Sequence, residues 1–406
     1  MTGHASRRVL LFAATTGYQI RMFDDAARRL GVDLTLATDR CPVLDDPWGD
    51  RAIPVRFGDV PASLEALRGR DFDGIAAVGD APAVLAAEAA CLLGVPFHPP
   101  AAARACHDKN ESRRLFQKAG LPVPRFFRAP LAEPPESAAE RAPYPCVLKP
   151  LGLSASRGVI RANDPREFAT AFHRIRRLVG QDRYLQVEAY IPGREFAVEG
   201  IVTHGAPCIL AIFDKPDPLE GPFFEETIYV TPSRESPAVQ QVMRKTVERA
   251  VQALGLYHGP FHAELRYNDQ GAWMLEVAAR PIGGLCARTL RPLEELIVRH
   301  AVGEDISGLE LDQTASGVMM IPIPRAGVFQ GVAGTEDARA VEGIEDVIIS
   351  AKEGQMLVPL PEGATYLGFI FARAGDPAAV ERSLRRAHAA LRFRIGMALP
   401  AFSPAP

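Results

Sequence analysis

The stretch Phe261-His262-Ala263-Glu264-Leu265-Arg266 is followed, after a turn, by Met274-Leu275-Glu276-Val277-Ala278-Ala279-Arg280-Pro281-Ile282-Gly283-Gly284. Between the two runs, Asn268-Asp269-Gln270-Gly271 is turn chemistry. A hairpin loop over residues 268 to 272 sets Glu264 directly opposite Glu276. Strand alternation then groups Glu264, Arg266, Met274 and Glu276 on one face. Ala263, Leu265, Tyr267, Trp273, Leu275 and Val277 fall on the other, apolar face. Two carboxylates held face to face repel unless a divalent cation or a shared proton lies between them. Oxygen-only ligation suits Mg²⁺, which takes one or two carboxylates together with substrate phosphates. Arg280 keeps the parity of Glu276 and reads as an anion holder. Alone, the segment reads equally well as a surface hairpin with solvated acids. Segments upstream decide between the two.

Pro145-Cys146-Val147-Leu148-Lys149-Pro150 reads as a strand ending in a lysine. The small-residue loop Gly152-Leu153-Ser154-Ala155-Ser156-Arg157-Gly158 follows it. Such a loop lets backbone N–H groups approach phosphate oxygens, with the lysine as a compact charge. It is not a Walker loop, because GxxxxGK[ST] is absent. Gln186 to Glu199 reads as a strand, a Pro-Gly turn and a second strand. A nucleobase can pair with backbone at such a connection, although an ordinary hairpin with exposed acids gives the same sequence.

Further upstream, strands over 9–14, 33–38, 52–55 and 74–78 alternate with helices over 19–30, 61–68 and 81–93. That alternation predicts a doubly wound parallel sheet, the α/β class, for the first hundred or so residues. The loop Ala14-Thr15-Thr16-Gly17-Tyr18 has no GxGxxG, which sets nicotinamide chemistry aside. A charged amphipathic helix is expected over 108–119, beginning at Asp108-Lys109. Helices over 236–254, 292–302 and 377–392 complete the helical reading. The Pro-, Glu- and Ala-rich segment 129–145 reads as an exposed connection.

The bulk properties exclude several function classes. The chain has 406 residues, 47% hydrophobic and 23% charged, with a net charge of −3. That length suffices for two or three domains. There is no basic footprint for nucleic acid and no polybasic membrane patch. Apolar runs are too short to span a bilayer, and no secretory signal is read at the start. Six scattered cysteines without a CxxC pair fit a reduced, cytoplasmic compartment. His258 and His262 have HxxxH spacing, but Gly259-Pro260 between them forbids the zinc-binding helix. They read as structural histidines, with His262 facing the site beside Glu264.

Taken in order, Lys109, the Leu148-Lys149-Pro150 strand with its loop, the Glu188 to Glu195 connection, Glu264, and Glu276 to Arg280 with Gly283-Gly284 resemble the ATP-grasp superfamily. The resemblance spans roughly residues 1 to 310 and is nearest to the dipeptide-forming L-amino acid ligases and carnosine-synthase-like enzymes. It implies ATP and Mg²⁺ (or Mn²⁺) as cofactors, with Lys109 and Lys149 on phosphates. Ser154, Ser156 and Gly158 would form a lid over the β- and γ-phosphates. Glu188 and Ile191 would meet adenine through the backbone, and Glu195 the ribose hydroxyls. Glu264 and Glu276 would be the metal ligands, with Arg280 and Lys149 catalytic. The amino-acid substrates would meet Lys215, Glu226, His262, Arg280, Gly283 and Gly284. Where many members carry asparagine two residues after the second metal carboxylate, this chain has Ala278.

The architecture so implied is a pre-ATP-grasp α/β domain over 1–107, an ATP-grasp domain over 108–310 with its lid at about 125–190, and a C-terminal lobe over 311–406. The activity implied is a carboxylate–amine ligase acting through an acyl phosphate on small molecules, with no nucleic acid or membrane partner and a homodimer as the expected assembly. The rivals are a carboxylase or purine-synthesis type of ATP-grasp enzyme, and a nucleotide-binding regulatory protein without turnover.

Overall fold

A computed structural model describes residues 6–14, 19–39, 52–180 and 183–397. The chain forms two compact units, each built from three separate segments. The first comprises Met1–Val123, Phe196–Phe213 and Glu235–Gln313; the second comprises Pro124–Glu195, Asp214–Arg234 and Thr314–Pro406. Among the described residues no helix is long and apolar enough to cross a membrane. Cys91, Cys106, Cys146, Cys208 and Cys286 are free thiols, and Cys41 lies outside the described residues.

The first unit opens with the expected parallel sheet. Its strands lie in the order Ala52–Pro54, Asp33–Thr38, Arg8–Ala13, Gly74–Val78, all parallel. Val9 to Ala13 are completely buried, because helices cover both faces of a parallel sheet. The helix Ile20–Leu30 stops at Gly31, whose φ of 67° is left-handed and lets its N–H close on Ala27 and Arg28 carbonyls. Strand order reverses between Arg8–Ala13 and Gly74–Val78. A crevice beyond the carboxyl ends of two such strands is where open α/β sheets bind ligands. Asp80 stands at that end of Gly74–Val78, as the first residue of the helix Asp80–Leu93. Residues 15–18, after the first strand, lie outside the described set.

The same unit holds antiparallel strands in the order Gly271–Ala278, Gly259–Asn268, Arg194–Thr203, Ala206–Lys215, the last two apart from their ends at Arg194, Glu195, Asp214 and Lys215, which belong to the second unit. The strand Ala206–Lys215 is absent from the sequence expectation, and Lys215 is its final residue. The hairpin corrects a second expectation. Asn268 pairs with Gly271, so the turn is two residues long, with Asn268 Oδ1 accepting from Gln270 N–H at 2.9 Å. Leu265 pairs with Met274 and Glu264 with Glu276, which leaves Leu275 as a bulge. Beyond the bulge the faces exchange. Met274 joins Ala263, Leu265, Ala272 and Val277 in the core, and Trp273 comes opposite Arg266. The carbonyls of Met274 and Leu275 accept from the buried Arg113 guanidinium at 2.6 and 3.3 Å, so the disturbed ladder keeps its hydrogen bonds.

In the second unit, Phe126–Pro130, Tyr184–Ala189, Cys146–Pro150 and Ile160–Ala162 form an antiparallel sheet in that order. The helices Pro135–Ala139 and Pro165–Leu178 pack on it. The segment 129–145 is therefore not an exposed connection. Ala129, Leu131, Ala138 and Ala139 are buried in the same core as Phe168 and Phe172. The strands Ile228–Thr231, Ala315–Ile321, Gly368–Ala374 and Ile344–Ile349 form a second group, backed by the helix Pro377–Ala390. A small sheet joins Met356–Leu357, Gly327–Ala333 and Arg392–Gly396.

Four histidines gather in the first unit. The rings of His258 and His300 stack at 3.9 Å, and His204 lies 4.8 Å from His258. His98 accepts from Tyr257 N–H at Nδ1, so its Nε2 carries the proton given to the Pro260 carbonyl at 2.9 Å. His258 is buried and held mainly by its ring stack on His300, a structural role. Burial pushes His98 down to about 4 and His300 to about 3, and neighbouring histidines reinforce the shift at His300.

These rings stay neutral in the folded chain and bind protons in the unfolded chain below its ordinary value of 6.5. Stability is therefore lost as pH falls from 6.5 towards 4, by up to about 1.4 kcal/mol per pH unit for each ring. Thermal or urea midpoints should drop between pH 6.5 and 5, and His300→Gln should flatten the slope. A midpoint unchanged over that range would count against this account.

Candidate active site

Within the first unit, the expected residues join one polar network. Glu264 and Glu276 face each other across the hairpin, with side chains 21% and 29% exposed. The helix Lys109–Lys118 is capped by Asp108, which accepts from the N–H groups of Asn110 and Glu111. The cap fixes Lys109 at the first helical position, with its Nζ 3.4 Å from Glu276 Oε2. His262, two residues before Glu264 and so on the same face of the strand, lies between two carboxylates. Its Nδ1 meets Glu199 Oε1 in a short contact, and its Nε2 lies 3.3 Å from Glu264 Oε1.

Burial disfavours a charged ring at His262, but the Glu199 carboxylate and the bonds to Glu199 and Glu264 outweigh it and raise the imidazolium to about 9. Flanked by these two carboxylates, His262 favours the cationic form. Glu199 also accepts from Ile282 N–H at 3.0 Å, while the Ile282 carbonyl accepts from Gln19 Nε2 at 2.9 Å. The two peptide groups flanking Ile282 are thus each held by a side chain just before Gly283-Gly284. Gly284 has a φ of 62°, where a side chain would be strained.

Arg280 already has a protein partner. Its Nε and Nη2 donate to Asp80 at 2.8 and 3.3 Å, and its Nη1 donates to the Pro281 carbonyl at 3.1 Å. Asp80 is buried, which would raise its carboxyl; Arg280 outweighs this and holds it below the ordinary range. Among the described residues, these contacts occupy three of the five guanidinium N–H groups and leave two Nη hydrogens for a ligand. In this set of contacts Lys109, His262 and Arg280 stand against Asp80, Glu199, Glu264 and Glu276. Glu264 and Glu276 keep partly exposed carboxylate oxygens within this set, donors of the kind a hard divalent cation takes.

The second unit holds the remaining expected residues in separate clusters. Lys149, at the end of Cys146–Pro150, pairs with the buried Glu188, which also accepts from Gln186 Nε2 at 3.0 Å. Lys215 is 3% exposed and lies 2.9 Å from Glu195 and 2.7 Å from Glu226, with its ammonium 4.9 Å from the Tyr229 ring centre. Ile191 is buried in the connection between Tyr184–Ala189 and Arg194–Thr203. Those two strands belong to different sheets, so the connection is not a hairpin. The loop with Ser154, Ser156 and Gly158 turns through left-handed backbone at Ala155, Ser156 and Gly158.

Asp80, Glu199, Gln19 and Arg113 were not singled out from the sequence. Two of them carry a legible signal. Asp80 follows a wholly apolar strand and Gly79, at the end of a parallel strand where ligands bind. Glu199 is the lone charge within Phe196-Ala197-Val198-Glu199-Gly200-Ile201-Val202, and a charge in a buried run needs a partner.

Comparison with known proteins bears on the whole arrangement. Residues 142–289 match an ATP-grasp domain, and residues 319–396 match the L-amino acid ligase C-terminal domain 2. The crystal structure of L-amino acid ligase from Bacillus licheniformis superposes with a TM-score of 0.81 at 25% identity, covering 97% of this chain and all of that one (100%). An uncharacterized protein of Sinorhizobium fredii is 25% identical over 94% of this chain and 82% of its own length. Alanine–anticapsin ligase of Bacillus subtilis is 28% identical over 45% of this chain, a match that spans 43% of that protein.

The His262 assignment is directly measurable. Glu199→Gln removes the carboxylate that outweighs burial, so the His262 ring should titrate well below its wild-type value of about 9. Observing the ring by NMR across pH 5 to 10 tests this. A titration unmoved by Glu199→Gln would show that Glu199 does not set the charge of His262.

Proposed function

We propose that this ATP-grasp ligase, a C–N bond-forming enzyme with the C-terminal domain of L-amino acid ligases, uses ATP to join the carboxylate of an amino acid to an amine. The observation that carries the reading is the pair Glu264 and Glu276 facing each other, with Lys109 3.4 Å from Glu276. A carboxylate is a poor acyl donor because oxide is a poor leaving group. Transfer of the γ-phosphoryl group to it gives an acyl phosphate, whose leaving group is phosphate. Attack by the amine then forms the amide and releases ADP and phosphate.

Positioning and charge neutralisation dominate such a reaction. Glu264 and Glu276 would hold Mg²⁺ or Mn²⁺, since both offer partly exposed carboxylate oxygens on facing strands. A bound ion of this kind neutralises charge on the transferring phosphoryl group. Lys109 and Lys149 hold phosphates, and the loop of Ser154, Ser156 and Gly158 covers them. Glu188 and Ile191 offer backbone to adenine and Glu195 takes the ribose. Burial of the Lys149–Glu188 pair, and of Lys215 with Glu195 and Glu226, restricts these side chains to one arrangement. Lys215, Glu226, the cationic His262, Arg280 and the Gly283-Gly284 backbone receive the amino-acid groups. Asp80 holds one edge of Arg280, so the remaining Nη hydrogens meet the acyl phosphate. The three-part division at about residues 107 and 310, cytoplasmic location and a homodimer belong to the same proposal.

A phosphate-release screen over amino acids singly and in pairs, with mass spectrometry of products, tests the reaction. Turnover should give ADP and phosphate in step with a condensed product, and Glu276→Ala should abolish it with little effect on folding. AMP and pyrophosphate as products would mean an acyl-adenylate route. Near-normal turnover by Glu276→Ala at low Mg²⁺ would remove the hairpin as the metal site.

Arg280→Lys keeps the charge and loses the planar fork. Its kcat should fall by on the order of 10²-fold, the size expected for one preorganised donor, with ATP affinity nearly intact. Single-turnover kinetics beside an ATP titration separates the two effects. Loss confined to ATP affinity would reassign Arg280 to nucleotide capture.

A further inference from the structure

We propose that Glu362 is a positioning residue for the loop 152–159, acting through a strap of the C-terminal domain that fixes one half of that loop and leaves the other half open to an anion. The inference rests on the reading of this loop as the cover of the ATP phosphates. The strap is the segment 359–363, between the strands Met356–Leu357 and Gly368–Ala374 and inside the L-amino acid ligase C-terminal domain. It closes on itself through Gly363 N–H donating to the Pro359 carbonyl at 2.9 Å.

Two backbone carbonyls of the strap hold the loop. Gly158 N–H donates to Pro361 O at 2.8 Å, and Arg157 Nε donates to Glu362 O at 2.9 Å. Inside the loop, Arg157 N–H is taken by Ser154 O and Val159 N–H by Ser156 O. The second half of the loop is thereby committed. The N–H groups of Ser154, Ala155 and Ser156 make no hydrogen bond among the described residues, and Ala155 and Ser156 both have a φ of 54°. Successive amides in such a turn converge on an anion. Gly158 is needed at the junction: with φ at +72°, an added Cβ would lie 2.7 Å from the Pro150 ring.

The Glu362 side chain anchors the strap to the body of the lid. Its two oxygens accept from Arg174 Nε and Nη2, each at 2.8 Å, a bidentate pair. Arg174 is in the helix Pro165–Leu178, and its guanidinium also lies 5.1 Å from the Phe223 ring centre. The hydrogen bonds from Arg174 keep the Glu362 carboxyl below the ordinary range, so the anchor holds at neutral pH. One residue therefore links the lid helix, by its side-chain carboxylate, to the phosphate loop, by its backbone carbonyl. The consequence is a preorganised set of amides, which lowers the ordering cost of ATP binding.

The test uses the full chain, with Glu362→Ala and the charge exchange Arg174→Glu with Glu362→Arg. Hydrogen exchange of residues 152–159 is followed without nucleotide, and affinity is titrated with a non-hydrolysable ATP analogue and Mg²⁺. The pair is about one-third exposed on each side, so screening trims its strength; we expect Glu362→Ala to speed exchange and weaken affinity about tenfold. The melting temperature should be little changed, and the charge exchange should recover most of both losses. Unchanged exchange in Glu362→Ala, or losses that the charge exchange leaves in place, would overturn the strap. If the analogue fails to slow exchange of 152–159 in the wild-type chain, the phosphate role of the loop falls. The variants' exchange without nucleotide would then still decide the strap.

Discussion

Glu264 and Glu276 face each other on adjacent strands, where like charges destabilise a pair. The polar architecture of the first unit answers that repulsion. Lys109 approaches Glu276, and the His262 imidazolium approaches Glu264. Keeping His262 charged inside the protein requires Glu199, and Glu199 in turn fixes the Ile282 peptide ahead of the glycine pair. The bulge at Leu275 belongs to the same chain of dependence. It brings the two carboxylates opposite each other, and its displaced carbonyls are met by the buried Arg113.

The same hairpin explains what the sequence made legible. The pairing of Glu264 with Glu276 is correctly anticipated although the loop length is not. A two-residue turn would place Glu264 opposite Leu275 were there no bulge, and the bulge restores the register. Alternation alone cannot register an inserted residue, so Met274 and Trp273 were assigned to the wrong faces. Helix ends at Gly31 and Gly94 were legible because left-handed glycine caps are local. Asp80 and Glu199 were not singled out, because their partners lie 200 and 63 residues away in the chain. The segment 129–145 was misread for a different reason. Its proline, alanine and glutamate content suits an exposed connection, but Ala138 and Ala139 are small enough to bury against the helix Pro165–Leu178.

Two buried lysines of the second unit show a related economy of charge. Lys149 and Lys215 are both largely buried and both neutralised by protein carboxylates. Buried pairs add little net stability, because desolvation consumes most of the attraction. Their value is geometric. An ammonium held by two carboxylates, as Lys215 is by Glu195 and Glu226, has few alternative rotamers open to it.

The chain passes between its two units five times, at 123/124, 195/196, 213/214, 234/235 and 313/314. Neither unit is a continuous stretch of sequence, so neither can complete its core during synthesis until late segments have emerged. The second unit in particular requires the strands and helix beyond residue 314. Long-range closure of this kind slows folding and leaves unpaired strand edges exposed in the meantime. It also means that a truncation reaching the strands Arg8–Ala13 or Arg392–Gly396 removes part of a core. Evolution of this chain is accordingly freer to vary loops in place than to shuffle its parts as modules.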